Sequence, residues 1–315
     1  MLLILSSCTP KSEKDIIGKW ESKMDMPTGR WMHSASVFNG KIYVIGGAVS
    51  ITDPVIASVE VYDPDNDIWS ECADMPTARS HLTTSIVGRK IYAIGGTSGP
   101  PNWSGLSTME IYDPINDSWT RGTDMPESRF ECHSTVVNDM IYVFGGLNNE
   151  HQGLHRVEVY DPQNDTWATL AEMPTARGAL SSVKVGDLIY VLGGIPAVRK
   201  PTLGTVEVFD PKTNTWSSAM GMRAGRSHFG SVVMNDMILT FGGWIATPDG
   251  NKACVDIVEI LNLSKNEWIV SIPMPTIRSA LTASLVDGQV YVIGGAHVTI
   301  PNWTGFSVVE AFILD

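Results

Sequence analysis

Cysteine is scarce in this chain, with 4 in 315 residues, and Cys72, Cys132 and Cys254 fall at three different phases of the pattern described below. An odd, out-of-phase set does not make a disulfide framework, and no Cys-x-x-Cys or His-rich spacing marks a metal site. Basic residues are in the minority too, 22 Lys and Arg against 34 Asp and Glu, for a net charge of -12. A body this acidic repels phosphate backbones and anionic lipid, which argues against nucleic acid as a partner. Runs of apolar residues long enough to span a bilayer are missing, and so is any helical hydrophobic period. What is plentiful is glycine (29), proline (18) and hydrophobic residues (43%), the profile of a turn-rich folded protein with a sizeable core.

Only the first eight residues look like a targeting element. Met1-Leu2-Leu3-Ile4-Leu5-Ser6-Ser7-Cys8 resembles the end of a bacterial lipoprotein signal, with Cys8 as the residue to be lipidated. A basic leading region is missing, and the apolar run is shorter than the roughly 7 to 15 residues of a secretory signal. The expectation is a truncated signal and polar tether over residues 1–15, followed by one domain over 16–315. The protein would then be lipid-anchored outside the cytoplasm, in the periplasm or at the cell surface; a cytoplasmic protein is the alternative.

From Trp20 onward the chain repeats itself with a period near 50 residues, the mark of one supersecondary unit copied around an axis. A Gly-Gly pair closes an apolar run at 46–47, 95–96, 145–146, 193–194, 242–243 and 294–295. Sixteen residues before each pair stands an arginine: Arg30, Arg79, Arg129, Arg177, Arg226 and Arg278. After each pair comes a glutamate in a β-branched stretch (Glu60, Glu110, Glu158, Glu207, Glu259, Glu310), and nine residues after each of the first five, a tryptophan. Pairs such as Asn39-Gly40, Asn138-Asp139 and Asp287-Gly288 are tight-hairpin signals between the first and second strands of each unit. The reading is therefore four short antiparallel strands per unit, six units, all β. The sixth unit ends four residues short of its tryptophan, while Trp20 stands ten residues before Arg30 with no glutamate ahead of it. Residues around Lys19-Trp20-Glu21 are thus expected to supply the outermost strand of the last unit.

The di-glycines, the Tyr three residues before five of them, the Val-Glu-Val-Tyr-Asp-Pro run at 59–64 and the tryptophans resemble the kelch repeat family over nearly the whole chain. The resemblance implies a six-bladed β-propeller around a central channel. It implies a binding or scaffold module, monomeric and without a cofactor, that recognises a protein, an acidic peptide or a glycan. A second possibility comes from a periplasmic kelch enzyme, the sialic acid mutarotase (N-acetylneuraminate epimerase), although no local motif carries its catalytic residues over.

The only segment whose length varies is the one from Gly-Gly to Glu, spanning 14, 15, 13, 14, 17 and 16 positions in order. In a four-stranded blade this loop emerges on the same face as the Met-Pro-Thr-x-Arg connection, so that face is the expected binding surface. The candidate ligand-binding residues are the six arginines together with Trp103, Trp244 and Trp303 in the variable loops. Two readings of the arginines stand open: an electropositive mouth for a carboxylate, or six structural ion pairs with the glutamates. Two residues after the arginines lie His81, Glu131 and His228, with His133 two further on; these are candidates for an acid/base or metal set, or simply polar fillers of a channel.

Overall fold

The computed structural model describes residues 18–101, 103–246, 251–297 and 303–314. Among the described residues it contains six four-stranded antiparallel sheets, each built from strands in chain order except at the seam, with a short two-stranded hairpin inserted between the second and third strands of the fifth. The first blade runs Ser34–Phe38, Lys41–Ile45, Val59–Asp63 and Ile68–Cys72 from the channel outward. In the sixth blade the three inner strands are Thr282–Val286, Gln289–Ile293 and Val309–Ile313, and the outer one is Lys19–Ser22. Trp20 pairs with Phe312 and Glu21 with Ala311, so the expected closure is present. The proposed anchor at Cys8 and the residues Asn102, Pro301 and Asn302 lie outside the described residues.

The turn chemistry follows the sequence closely. Asn39 and Gly40 both have positive φ (49° and 73°), as do Asn138 and Asp139 (50° and 60°), the requirement of a two-residue turn that matches strand twist. At the second strand's end, Gly46 has φ +65°, and a Cβ there would lie 2.5 Å from the Arg79 carbonyl of the next blade. Only glycine permits that approach.

Blades stick together through apolar clusters between neighbouring sheets. Ile42, Val44 and Tyr62 of the first blade pack with Tyr291, Ile293 and Val309 of the sixth, and Met26 of the connecting turn sits in that cluster. Met75, Met125, Met173, Met222 and Met274 occupy the corresponding cluster at the other five junctions. An unbranched thioether fills such irregular gaps well. Outer strands are tied by their tryptophans: Trp69 donates its indole N–H to the Met24 carbonyl at 3.0 Å, and Trp119, Trp167, Trp216 and Trp268 donate to the connection before their own blade.

At the channel's edge the six residues two positions after the arginines form a closed ring. Met32, His81, Glu131, Ala179, His228 and Ala280 all have φ between 52° and 56°. Each donates its backbone N–H to the carbonyl of the ring residue in the preceding blade at 2.8–3.1 Å, and Met32 closes the circle by donating to Ala280.

Candidate functional site

The arginines belong inside the blades. All six are fully buried, and each meets the glutamate of its own repeat, from Arg79–Glu110 at 3.1 Å down to Arg177–Glu207 at 2.5 Å. In several repeats the guanidinium also donates to carbonyls at the di-glycine and before the third strand: Arg30 donates to Gly46 (3.2 Å) and Ser58 (3.0 Å), and Arg177 to Gly193 (3.1 Å) and Thr205 (3.0 Å). Burial lowers Arg79 and Arg278 to about 10, with the glutamates opposing the shift, so these guanidiniums stay charged at neutral pH. Such pairs hold geometry while offering nothing to a ligand. Arg30, Arg79, Arg129, Arg177, Arg226 and Arg278 are thus ion pairs within the blades, and the reading of them as an electropositive mouth is corrected by their enclosure.

The mouth is built from other side chains. Trp31 packs edge-on against Trp303 (5.6 Å between centroids), Trp303 against Trp244 (5.5 Å), and Trp244 against His228 (4.1 Å). His228 Nε2 lies 3.1 Å from Glu131 Oε1, and His81 Nε2 lies 3.7 Å from the same oxygen. His81 then returns to Trp31 at 5.9 Å, completing a circuit of six side chains from the first, second, third, fifth and sixth repeats. Trp103 and Phe130 pack edge-on against His81 as well, at 5.7 and 6.0 Å.

Backbone placement explains why these groups meet. His81, Glu131 and His228 are ring residues, and the small Ala179 between Glu131 and His228 leaves their side chains room to touch across the ring. Trp103 and Trp303 occupy equivalent positions in matching loops, both with φ 46°. A Cβ on Gly305 would lie 2.4 Å from Arg30 Cα, so the sixth-blade loop lies directly against the first blade. Trp103 and Trp303 are half-buried, in keeping with rim positions. Trp244 is 4% exposed and sits in the short hairpin Trp244–Ala246 with Lys252–Cys254, so it supports the circuit from within rather than standing exposed as its loop position suggests.

Beneath the ring lies a cavity of about 200 Å³, lined by ring residues and by Ser34, Thr83, Ser181, Ser231 and Thr282. Hydroxyls there bridge adjacent blades, as Ser181 to Ser231 at 2.7 Å and Thr83 to Ser134 at 2.8 Å. His133 joins this belt through Ser182 (2.9 Å), apart from the His81–Glu131–His228 group. Burial pushes His81 and His133 down to about 4, and burial with Arg30 and Arg278 nearby pushes His33 to about 3, so all three are neutral at physiological pH. Among the described residues no group of three or more His, Cys, Asp or Glu has a metal-holding arrangement. Trp31, which joins the rim to the ring, carried no sequence signal: its equivalents in the other repeats are Ser80, Phe130, Gly178, Ser227 and Ser279.

Comparison with known proteins agrees with this architecture. The family model of the KLHDC2/KLHL20/DRC7 Kelch-repeats domain matches residues 11–194 and 121–295. The chain belongs to the kelch-repeat family. Among curated relatives it is 44% identical over 55 residues to human Kelch-like protein 6 and 37% identical over 54 residues to beta-scruin of Limulus polyphemus. Those stretches are 18% and 17% of this chain and span 8% and 6% of the relatives, about one repeat each. Among solved structures, that titled "Structure of YjhT" superposes over 90% of this kelch propeller and 95% of its own chain, with TM-score 0.79 and 14% identity, a likeness of fold.

Proposed function

We propose that this kelch propeller is a non-catalytic binding module whose ligand face carries the Met-Pro-Thr-x-Arg turns and the variable loops. The observation that supports it is the convergence of Trp303, Trp244, Trp31, His81, Glu131 and His228, from five repeats, into one mouth with Trp103 and Trp303 at its rim. Fold alone asks for constant repeat spacing, and here the unlike residues of different repeats meet at one place. The partner is a protein, peptide or glycan that offers an apolar or ring face to the tryptophans. The test uses a glycan and peptide array with Trp103→Ala and Trp303→Ala. Loss of about 2 kcal/mol or more in binding with little change in melting temperature is expected. Variants that lose stability yet keep affinity would make these tryptophans structural and end the proposal. Attachment to a membrane through Cys8 is a separate proposal, checked by fatty-acid labelling of wild type and Cys8→Ser.

The contact of Glu131 with His228 favours one second reading. A carboxylate 3.1 Å from an imidazole is an acid/base pair, which is what sugar ring opening by a mutarotase requires. Anomer exchange of sialic acid followed by NMR decides it: acceleration abolished by Glu131→Gln supports the enzyme, and an uncatalysed rate excludes it.

A further inference from the structure

The innermost strands begin with small polar residues where a fully buried strand ordinarily carries branched apolar ones. Four residues after the arginines stand Ser34, Thr83, His133, Ser181, Gly230 and Thr282, and all six line the cavity of about 200 Å³ beneath the ring. Such a cavity holds several waters or one small molecule. Its two sides differ. In the second, third and fourth blades the following residue is polar as well (Thr84, Ser134, Ser182), whereas in the first and sixth it is Ala35 and Ala283, and in the fifth the polar Ser231 follows a bare Gly230. A Cβ on Gly230 would lie 2.8 Å from that of Ala283, so the fifth and sixth blades meet there through carbon alone. One arc of the cavity is therefore rich in hydrogen-bonding groups, and the opposite arc carries one hydroxyl per blade between small apolar residues.

On the polar arc donors exceed acceptors. Thr84 Oγ1 meets both Ser34 and Ser36, at 2.9 and 2.8 Å, so three hydroxyl protons serve two contacts. His133 Nδ1 accepts from the Ser182 backbone N–H at 3.2 Å, which places the proton of the neutral ring on Nε2. That Nε2–H has no acceptor among the described residues. A donor withdrawn from bulk water costs free energy until a water or a ligand accepts from it. Neither lysine nor arginine lines the cavity, and His33, His81 and His133 are neutral at physiological pH, so an anion finds no counter-charge among them. Glu131 and His228, which also line it, contact each other at 3.1 Å.

We propose that this channel cavity binds a small uncharged polyol, a cyclitol or monosaccharide, with its hydroxyls toward Thr83, Thr84, His133 and Ser181 and its C–H face toward Ala35, Gly230 and Ala283. Hydroxyls both donate and accept, as the serine and threonine rotors opposite them do, and a ring of carbons edged with hydroxyls has the same two-sidedness as the cavity. Trp103 and Trp303 do not line the cavity, so this site goes beyond the rim and does not require the rim to be a ligand face.

The experiment titrates the full chain with myo-inositol and D-glucose, and with two counterparts: cyclohexanol, which lacks the ring of hydroxyls, and D-glucuronate, which adds a carboxylate. Calorimetry and saturation-transfer NMR read the binding. At least one polyol is expected to bind about tenfold tighter than both counterparts, because a site built around hydroxyls rejects an analogue without them. His133→Phe and Ser181→Ala should each weaken that polyol about fivefold or more, while Trp103→Ala leaves it unchanged. Ser181→Ala, the milder change, decides the matter where His133→Phe fails to fold. No binding by either polyol, equal binding by either counterpart, or affinity indifferent to both channel variants would overturn the proposal. If polyol binding is lost in Trp103→Ala and kept in both channel variants, the rim is the ligand site and the cavity is not. If array ligands ignore Trp103 and Trp303 while the polyol depends on His133, the rim reading fails and the cavity site stands.

Discussion

At Arg177 a guanidinium with no exposed surface faces Glu207 and three carbonyls, and the other five repeats use the same residue pair for the same work. Removing the arginine alone leaves a carboxylate buried without its counter-charge. Arg177→Met is therefore expected to cost about 3–5 kcal/mol in urea unfolding, and adding Glu207→Leu should recover much of it. A cost under about 1 kcal/mol for the single variant would mean that the pair is not desolvated in solution. The constant Arg-to-Glu spacing made a pairing legible in the sequence. Depth was not legible, because an arginine just before the inner strand has the same sequence neighbours whether it turns into the blade or toward the mouth. Buried histidines give a second residue-scale expectation. His33, His81 and His133 have folded pKa values of about 3, 4 and 4, below the unfolded value of 6.5. As pH falls below 6.5 the unfolded chain takes up protons that the folded one refuses, so stability drops by up to about 1.4 kcal/mol per pH unit for each histidine until the folded values are reached. Carboxylates such as Asp67 and Asp117, held below their ordinary range chiefly by tyrosine hydroxyls, add losses only at lower pH. In denaturation curves between about pH 7 and 5 the histidines set the direction of the slope, opposed only by Glu158, whose carboxyl pKa burial raises. His133→Gln, which keeps an acceptor for Ser182, should flatten the slope; an identical slope would show that His133 does not titrate this way.

The strand Lys19–Ser22 is the element with the largest consequence for its size. It covers the edge of Val309–Ile313, and Trp20 packs on Phe312 and Phe241 at 5.1 and 6.0 Å. Trp20→Ala is expected to lower stability by up to about 3 kcal/mol. Deleting residues 1–24 should do more, since it also bares a flat strand edge able to pair with another chain, so concentration-dependent association should accompany the lower melting temperature. A monomer with an unchanged melting curve would show that the seam does not carry the ring. This strand was legible from arithmetic alone: a repeat missing its last strand and an orphan tryptophan at the opposite terminus. Hairpin turns were equally legible, because Asn-Gly and Asp-Gly pairs state their backbone geometry directly. The loop hairpin at Trp244–Ala246 was not. Its position in a long variable segment suggested exposure, whereas packing against His228 and Trp303 buries the ring.

Over the whole molecule, contacts between blades decide both the site and the cooperativity, and they are what a repeat reading misses. Glu131 and His228 are 97 residues apart in sequence and touch only because the ring is closed and Ala179 between them is small. Self-similarity shows what the six units share, while the mouth is made of what they do not: Met32, His81, Glu131, Ala179, His228 and Ala280 occupy one equivalent position with four different residue types. Their backbones nonetheless form one circle of hydrogen bonds, each blade's ring N–H held by its predecessor. In an open repeat array, each unit answers to its neighbours and a defect stays local. A closed circle has no end from which to fray, so the six ring amides are expected to exchange with solvent only through global unfolding. Hydrogen exchange on wild type and Trp20→Ala tests this. Weakening the seam should lower protection of Glu131 and Ala179, on the far side of the ring, by the same factor as that of Met32 beside it. If Met32 alone loses protection, the blades open independently and the ring is a row of local contacts rather than one cooperative unit.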